Sequence, residues 1–125
     1  MKESKPEEIH AEERMRQIVG FQNMSVGATD LDAIIEWKNK GFILIEVKYG
    51  SNELKYGQQL AYERMVDDWS KPAICILARH YTHNPKNNID LASCKVDKFY
   101  INEEWKNGTG FTVDKLSQKF IEEKL

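Results

Sequence analysis

The sequence is poor in cysteine, proline and glycine, and it contains no long apolar run. It has two cysteines, three prolines and seven glycines among 125 residues, too few cysteines for the disulfide framework of a small secreted domain. No stretch approaches the roughly 20 apolar residues that a membrane-spanning helix needs. The first residues, Met1 to Glu8, also lack the apolar segment of a signal peptide. We therefore expect a cytoplasmic protein with reduced thiols and no membrane contact.

An excess of positive charge is also missing, since 18 lysines and arginines stand against 20 acidic residues, for a net charge of -2. This balance counts against a nucleic-acid partner, because Lys and Arg supply most of the affinity for phosphates. The charges are unevenly distributed, however. Acidic residues crowd the first 13 positions, whereas four lysines are expected to cluster around the candidate site discussed below: Lys38, Lys40, Lys48 and Lys55. The composition therefore does not exclude nucleic acid.

The content of apolar residues, 41%, is sufficient for one hydrophobic core in a chain of this length. A charged fraction of 30% with ordinary glycine and proline content argues against a disordered or fibrous chain. The sequence contains no internal repeat and no low-complexity tract. We predict a single compact domain that spans residues 1–125.

Hydrophobic periodicity and turn residues predict an alternation of helices and strands. The predicted elements are a helix at 7–19, a hairpin of strands at 29–37 and 42–48, a helix at 54–69, strands at 72–78 and 96–101, and a helix at 112–125. The second hairpin strand is apolar and rich in β-branched residues, so it should be largely buried. This order predicts an α/β fold with a central mixed sheet of about four to five strands flanked by α-helices.

Two acidic side chains are predicted to meet across the hairpin. A three-residue loop would pair Trp37 with Gly41. In that register Asp32 falls directly opposite Glu46, with Cβ atoms roughly 5 Å apart. Lys48 shares a face with Glu46, because side chains two apart on a strand point the same way. The pattern therefore places two carboxylates and one ammonium together at the end of a buried strand.

Such a pair of carboxylates is suited to a hard divalent cation. Close carboxylates raise each other's pKa unless a cation lies between them, and Mg²⁺ prefers oxygen ligands while it keeps several waters. Asp32 and Glu46 are the candidate ligands, with the backbone carbonyl of Val47 as a third. The ion could activate a water, and Lys48 could orient that water and stabilise negative charge on a phosphate. This chemistry is what hydrolysis of a phosphodiester requires.

The segment Asp30-Leu31-Asp32, followed by Ile45-Glu46-Val47-Lys48, resembles the motif of the PD-(D/E)XK nuclease superfamily. Gln58 and Tyr62, one helical turn apart, are similar to the Gln and Tyr motif on the helix after the catalytic strand in RecB-type members. The resemblance spans roughly residues 7 to 78. No Pro precedes either aspartate, and Asp30 competes with Asp32 for the ligand role.

The resemblance implies a restriction-endonuclease-like core and a metal-dependent nuclease that hydrolyses DNA. It implies Mg²⁺ as cofactor, with Mn²⁺ as a substitute, and catalytic roles for Asp32, Glu46, Lys48 and Gln58. Tyr62 is a further candidate for the site. In members similar to Holliday-junction resolvases a Glu on the first helix also reaches the metal. Here Glu12 is the candidate, with Glu8 and Glu13 as rivals.

Several alternatives remain open from the sequence. The same fold could carry a catalytically inactive module that binds nucleic acid or recruits a protein, and an adaptor of unrelated fold would leave Asp32 and Glu46 far apart. His80 and His83 lack the further ligands of a zinc site, and we expect them in a solvated or DNA-facing loop. Because so small a chain offers little surface for DNA, we also expect a homodimer or a partner subunit.

Overall fold

A computed structural model of the protein describes residues 31–125. These residues form β1 (Ala33–Trp37), β2 (Gly41–Tyr49), α1 (Tyr56–Asp68), β3 (Ala73–His80), a short 3-10 helix (Leu91–Ser93), β4 (Lys95–Ile101), β5 (Glu104–Asn107) and α2 (Val113–Lys124). The helix expected at 7–19 lies outside the described residues, as do residues 29–30 of the first expected strand. None of the described helices has the length and apolar character required to cross a membrane.

All five described strands belong to one sheet, in the order β1-β2-β3-β4-β5. β2 and β3 are parallel, and the other neighbouring pairs are antiparallel. The helix α1 makes the crossover between the two parallel strands, which a short turn could not do. The predicted α/β fold with a mixed sheet is therefore confirmed.

One face of the sheet packs against α2. Ile43 and Ile45 of β2 lie in this core with Leu116 and Phe120 of α2. Each of these four side chains exposes 3% of its surface or less. Leu116 and Phe120 therefore lie on the inward face of α2.

The other face of the sheet packs against α1. Leu44 of β2 and Cys75 of β3 share this core with Tyr62 and Val66 of the helix. Because helices cover both faces, the central strands are continuous apolar runs. Glu46 and Lys48 lie in the last four residues of β2, where Glu46 is still buried and Lys48 is half-buried.

The turn between β1 and β2 sets the register of the hairpin. Lys38 and Asn39 both have positive φ angles, 46° and 60°, and the amide of Lys40 donates to the carbonyl of Trp37 at 2.7 Å. Trp37 pairs with Gly41, so the predicted three-residue loop is confirmed. At the far end of the same ladder the last pair is Ala33 with Ile45.

Two strand ends near the site differ from the prediction, and one strand was not predicted. β1 begins at Ala33, so Asp32 lies in the bend just before the strand. β3 continues to His80 because it stays paired with β2 up to Tyr49, and His80 is therefore not a loop residue. The strand β5 was not predicted at all. It follows a tight turn in which Asn102 and Glu103 adopt positive φ angles of 52° and 65° without any glycine.

Candidate active site

Asp32 and Glu46 come together at the open end of the β1-β2 hairpin. The bend before β1 carries the Asp32 carboxylate over β2, where its Oδ2 accepts a hydrogen bond from the amide of Val47 at 2.7 Å. The same carboxyl group is within hydrogen-bonding contact of the Glu46 side chain. The structure thus brings the two predicted metal ligands into contact, although Asp32 lies outside the strand itself.

Glu46 is the buried member of this pair, with 4% of its surface exposed. The hydroxyl of Tyr62, itself 1% exposed, donates to Glu46 Oε2 at 2.6 Å. The amide of Gln58 donates to the same oxygen at 3.5 Å. Two side chains of α1 therefore hold one carboxylate oxygen in place, and the spacing of four residues puts both on the helix face that meets β2.

The surroundings of Glu46 favour its neutral form. Burial raises its pKa from 4.5 to about 8, and the hydrogen bond and negative charge of Asp32 act in the same direction. The hydroxyl of Tyr62 and the ammonium of Lys48 oppose this shift only in part. Burial and the same carboxylate also raise the pKa of Tyr62, so its hydroxyl remains a donor. Two carboxyl groups in such contact form a donor set that a divalent cation would stabilise.

Lys48 is joined to the carboxylates through Gln58. Its Nζ donates to Gln58 Oε1 at 3.1 Å, while the amide nitrogen of the same Gln faces Glu46. The backbone amide of Lys55 lies 3.4 Å from Gln58 Oε1. Gln58 therefore sets the relative positions of the ammonium and the buried carboxylate, and its place in the site agrees with the position expected from the sequence.

A pair of carboxyl groups such as Asp32 and Glu46 would suit Mg²⁺ better than zinc. Within residues 31–125, no group of three or more acidic, His or Cys side chains could hold a metal ion. Mg²⁺ does not need such a group, because one or two carboxylates with waters and substrate phosphate usually hold it. The carbonyl of Val47 stays a predicted third ligand. Asp30, Glu8, Glu12 and Glu13 lie outside the described residues.

The predicted clustering of lysines around the site was partly wrong. Lys38 and Lys40 lie in the turn between β1 and β2, at the opposite end of the hairpin from Asp32. An extended strand rises about 3.3 Å per residue, so the two ends are roughly 15–20 Å apart. Among the four lysines, only Lys48 and Lys55 contact residues of the site.

Searches of protein-family models, curated proteins and solved structures gave no match to this chain. A function for the site must therefore be argued from its own residues. One network of side-chain hydrogen bonds connects five of these residues: Asp32, Glu46, Lys48, Gln58 and Tyr62.

If Asp32 and Glu46 hold a divalent cation, removal of the Tyr62 hydroxyl should weaken the binding of that cation. This hydroxyl lowers the pKa of Glu46, so Tyr62→Phe should raise that pKa further. Below the pKa of a ligand, each unit of increase lowers the apparent metal affinity about tenfold, because the ion competes with a proton. We expect several-fold to tenfold weaker binding of Mn²⁺ at neutral pH, measured by calorimetry.

Tyr100→Phe is the matched control for this prediction. The Tyr100 hydroxyl donates to the carboxylate of Asp67 at 2.9 Å, in the same core but away from Glu46. Its loss should lower the free energy of unfolding by about 1 kcal/mol without changing metal affinity. Equal affinities of Tyr62→Phe and wild type would show that the hydroxyl does not act on the ligand.

Proposed function

We propose that this protein is a divalent-metal-dependent nuclease that hydrolyses phosphodiester bonds in DNA. The observation that carries the proposal is the contact between Asp32 and Glu46 at the end of β2, with Lys48 joined to them through Gln58. A structural role alone does not account for a buried Glu whose side chain is in hydrogen-bonding contact with another carboxyl group. Such an arrangement costs folding energy, and a cation would remove that cost.

Asp32 and Glu46 would hold Mg²⁺, with the carbonyl of Val47 as a further ligand and Mn²⁺ as a substitute ion. When bound, the ion would supply Lewis acidity and lower the pKa of a coordinated water. Tyr62 and Gln58 hold Glu46 in its rotamer, so the carboxylate is preorganised before any ion arrives. These two residues therefore act by positioning.

Lys48 would act on the phosphate. Its ammonium is half-buried and held by Gln58, so it would meet the scissile group with little reorganisation. A positive charge aimed at the phosphate oxygens is most useful when negative charge builds on them in the transition state. Lys48 would also orient the attacking water.

A domain of this size offers little surface to DNA, and we propose that a homodimer or a partner subunit completes the DNA-binding footprint. We also propose a cytoplasmic location. Both cysteines, Cys75 and Cys94, are buried free thiols, as is usual in a reducing compartment.

A cleavage panel tests the proposal. Wild-type protein is incubated with Mg²⁺ or Mn²⁺ and with linear duplex, single-stranded, flapped and four-way-junction DNA, and the products are resolved on a denaturing gel. We expect cleavage of at least one substrate that EDTA abolishes. Asp32→Asn should lose both cleavage and calorimetric uptake of Mn²⁺, because it removes one of the two ligand charges.

The outcomes separate the nuclease from an inactive module on the same fold. Metal uptake that depends on Asp32, together with metal-dependent cleavage, supports the nuclease. DNA binding without metal uptake or cleavage would contradict it and favour the inactive nucleic-acid-binding module. Equal cleavage by Asp32→Asn would indicate a contaminating enzyme and would also contradict the proposal.

A further inference from the structure

A surface cleft lined with aromatic rings lies where β2 and β3 end, one residue beyond Lys48. Its volume is about 570 Å³. We refer to it as the aromatic cleft, and its lining residues are Tyr49, His80, Thr82, His83, Pro85 and Ile89. None of these six side chains is acidic, in contrast to the carboxylates of the metal site.

The rings of the aromatic cleft have a defined arrangement. Tyr49 pairs with His80 across the parallel strands, and their ring centroids are 5.4 Å apart at an interplanar angle of 65°. The ring of His83 lies 5.3 Å from that of Tyr49 at 72°, and its Nδ1 shares a hydrogen bond with the Tyr49 hydroxyl. Backbone pairing and this bond together keep the three rings in place.

These rings are not simply part of the core. Tyr49 is 38% exposed, and His83 is an exposed residue. Exposed aromatic side chains beside polar N–H and O–H groups are suited to a flat aromatic ligand that also carries hydrogen-bonding edges. A nucleobase is such a ligand.

The position of the aromatic cleft connects it to the metal site. Consecutive residues of a strand are about 3.8 Å apart and point to opposite faces, so Lys48 lies on the α1 side and Tyr49 on the α2 side. The amide of Gly50 donates to the carbonyl of His80 at 2.8 Å, which ties the two strand ends together. A nucleotide chain that passes over this edge would meet the ammonium and the aromatic rings in succession.

We propose that the aromatic cleft receives an unpaired base of the strand whose phosphate lies at the metal site, and that the substrate is therefore single-stranded or locally unpaired. This inference rests on the proposed nuclease function. In a duplex both faces of each base are covered by its neighbours, and a base reaches a protein pocket only after it leaves the stack. Every base can stack on an aromatic ring. The cleft should therefore select DNA that is unpaired, whatever its base sequence.

Binding without cleavage tests the inference. Fluorescence anisotropy is measured in EDTA with a labelled oligothymidylate and with a duplex of the same length. Tyr49→Leu, which removes the ring, should weaken binding of the single strand about tenfold, the usual effect of losing one stacked base. Tyr49→Phe keeps the ring and should stay within about threefold of wild type. Duplex binding should change by less than the single-strand binding in both variants.

Thermal denaturation of each variant shows whether it is folded. Should Tyr49→Leu fail to fold, His83→Ala removes another ring at an exposed position and should also weaken single-strand binding. Unchanged single-strand binding, or equal losses for single strand and duplex, would overturn the inference. Because the measurement needs no metal, binding that depends on Tyr49 in a protein that never cleaves DNA would contradict only the proposed nuclease. Cleavage with unchanged binding in Tyr49→Leu would contradict only the role of the cleft.

Discussion

Replacing Glu46 by Gln should make the metal-free protein more stable at pH 8 and should abolish its uptake of a divalent cation. In the folded chain, burial and the Asp32 carboxylate raise the pKa of Glu46 from 4.5 to about 8. The folded state therefore binds the proton more tightly than the unfolded state between these two values. By linkage, the contribution of Glu46 to the free energy of unfolding is fully present below pH 4.5 and is lost as the pH rises towards 8.

Between pH 5 and pH 8 this effect is on the order of 3–4 kcal/mol, since the contribution of Glu46 falls by about 1.4 kcal/mol for each pH unit between its two pKa values. Gln is neutral at every pH in this range and has nearly the same shape as Glu. Its carbonyl can accept the hydrogen bond of Tyr62, and its amide can donate to Asp32. The variant should therefore keep the contacts of the neutral acid without the cost of ionisation.

Thermal denaturation in EDTA at about pH 5 and at pH 8 measures the difference. The melting temperature of wild type should fall over this interval by on the order of 10 °C more than that of Glu46→Gln. Calorimetry with Mn²⁺ at pH 8 should show uptake by wild type alone. If the melting temperatures of the two proteins fall in parallel with pH, then folding does not raise the pKa of Glu46. That result would contradict the expected electrostatics.

Replacing Lys48 by Met should slow the cleavage of DNA by roughly 10²–10³-fold, the usual effect of removing one group that stabilises transition-state charge. Met keeps most of the apolar stem of the half-buried Lys48, so the free energy of unfolding should change little. The substitution should lower the rate of the chemical step more than the affinity for DNA, because the ammonium interacts most strongly with the charge that develops during the reaction. Single-turnover kinetics at saturating Mg²⁺ separates these quantities.

Lys55→Ala provides the control for general electrostatics. Lys55 is exposed, and its contact with Gln58 is made by its backbone amide. Its side chain is therefore a positive charge near the site that no hydrogen bond to Gln58 holds in place. Its removal should lower DNA affinity a few-fold at low salt, and less at high salt. Similar rate losses in Lys55→Ala and Lys48→Met would show that Lys48 contributes through net charge and not through its position.

The pairing of the carboxylates followed from local rules that the sequence contains. Strand periodicity and a three-residue loop predicted that Trp37 pairs with Gly41, and this register places Asp32 beside Glu46. The prediction holds because a hairpin register is determined by its turn. The start of β1 does not follow from these rules, since the bend at Asp32 depends on where its carboxylate finds a backbone donor, the amide of Val47.

Other features of the site depend on packing between distant segments. The sequence indicated Gln58 and Tyr62 as candidates by their spacing, but their contacts with Glu46 arise from how α1 packs on the sheet. The rings of Tyr49 and His80 meet because β2 and β3 are parallel with this register, which no local pattern reveals. The prediction for Lys38 and Lys40 was wrong for a simpler reason. Both are close to Asp32 in the sequence, but the extended strand β1 separates them from it in space.

The strand β5 was missed for a different reason. Hairpin turns with positive φ angles are usually recognised by Gly or by the pair Asn-Gly. Here Asn102 is followed by Glu103, and Trp105, which pairs with Tyr100, is the single large apolar residue of the short strand. The indole of Trp105 donates to the carboxylate of Glu63 in α1 at 2.6 Å. This contact holds β5 against the helix although its turn contains no glycine.

The outer position of β1 has a dynamic consequence. Within the described sheet β1 has one neighbour, β2, and Ile34, the second residue of the strand, is 51% exposed. Fraying from the open end of this hairpin would carry Asp32 away from Glu46 while the central strands stay closed. An ion bridging the two carboxylates must oppose that fraying by its own binding free energy. Amide hydrogen exchange in β1 should therefore slow as Mg²⁺ is added, and exchange in β3 should not.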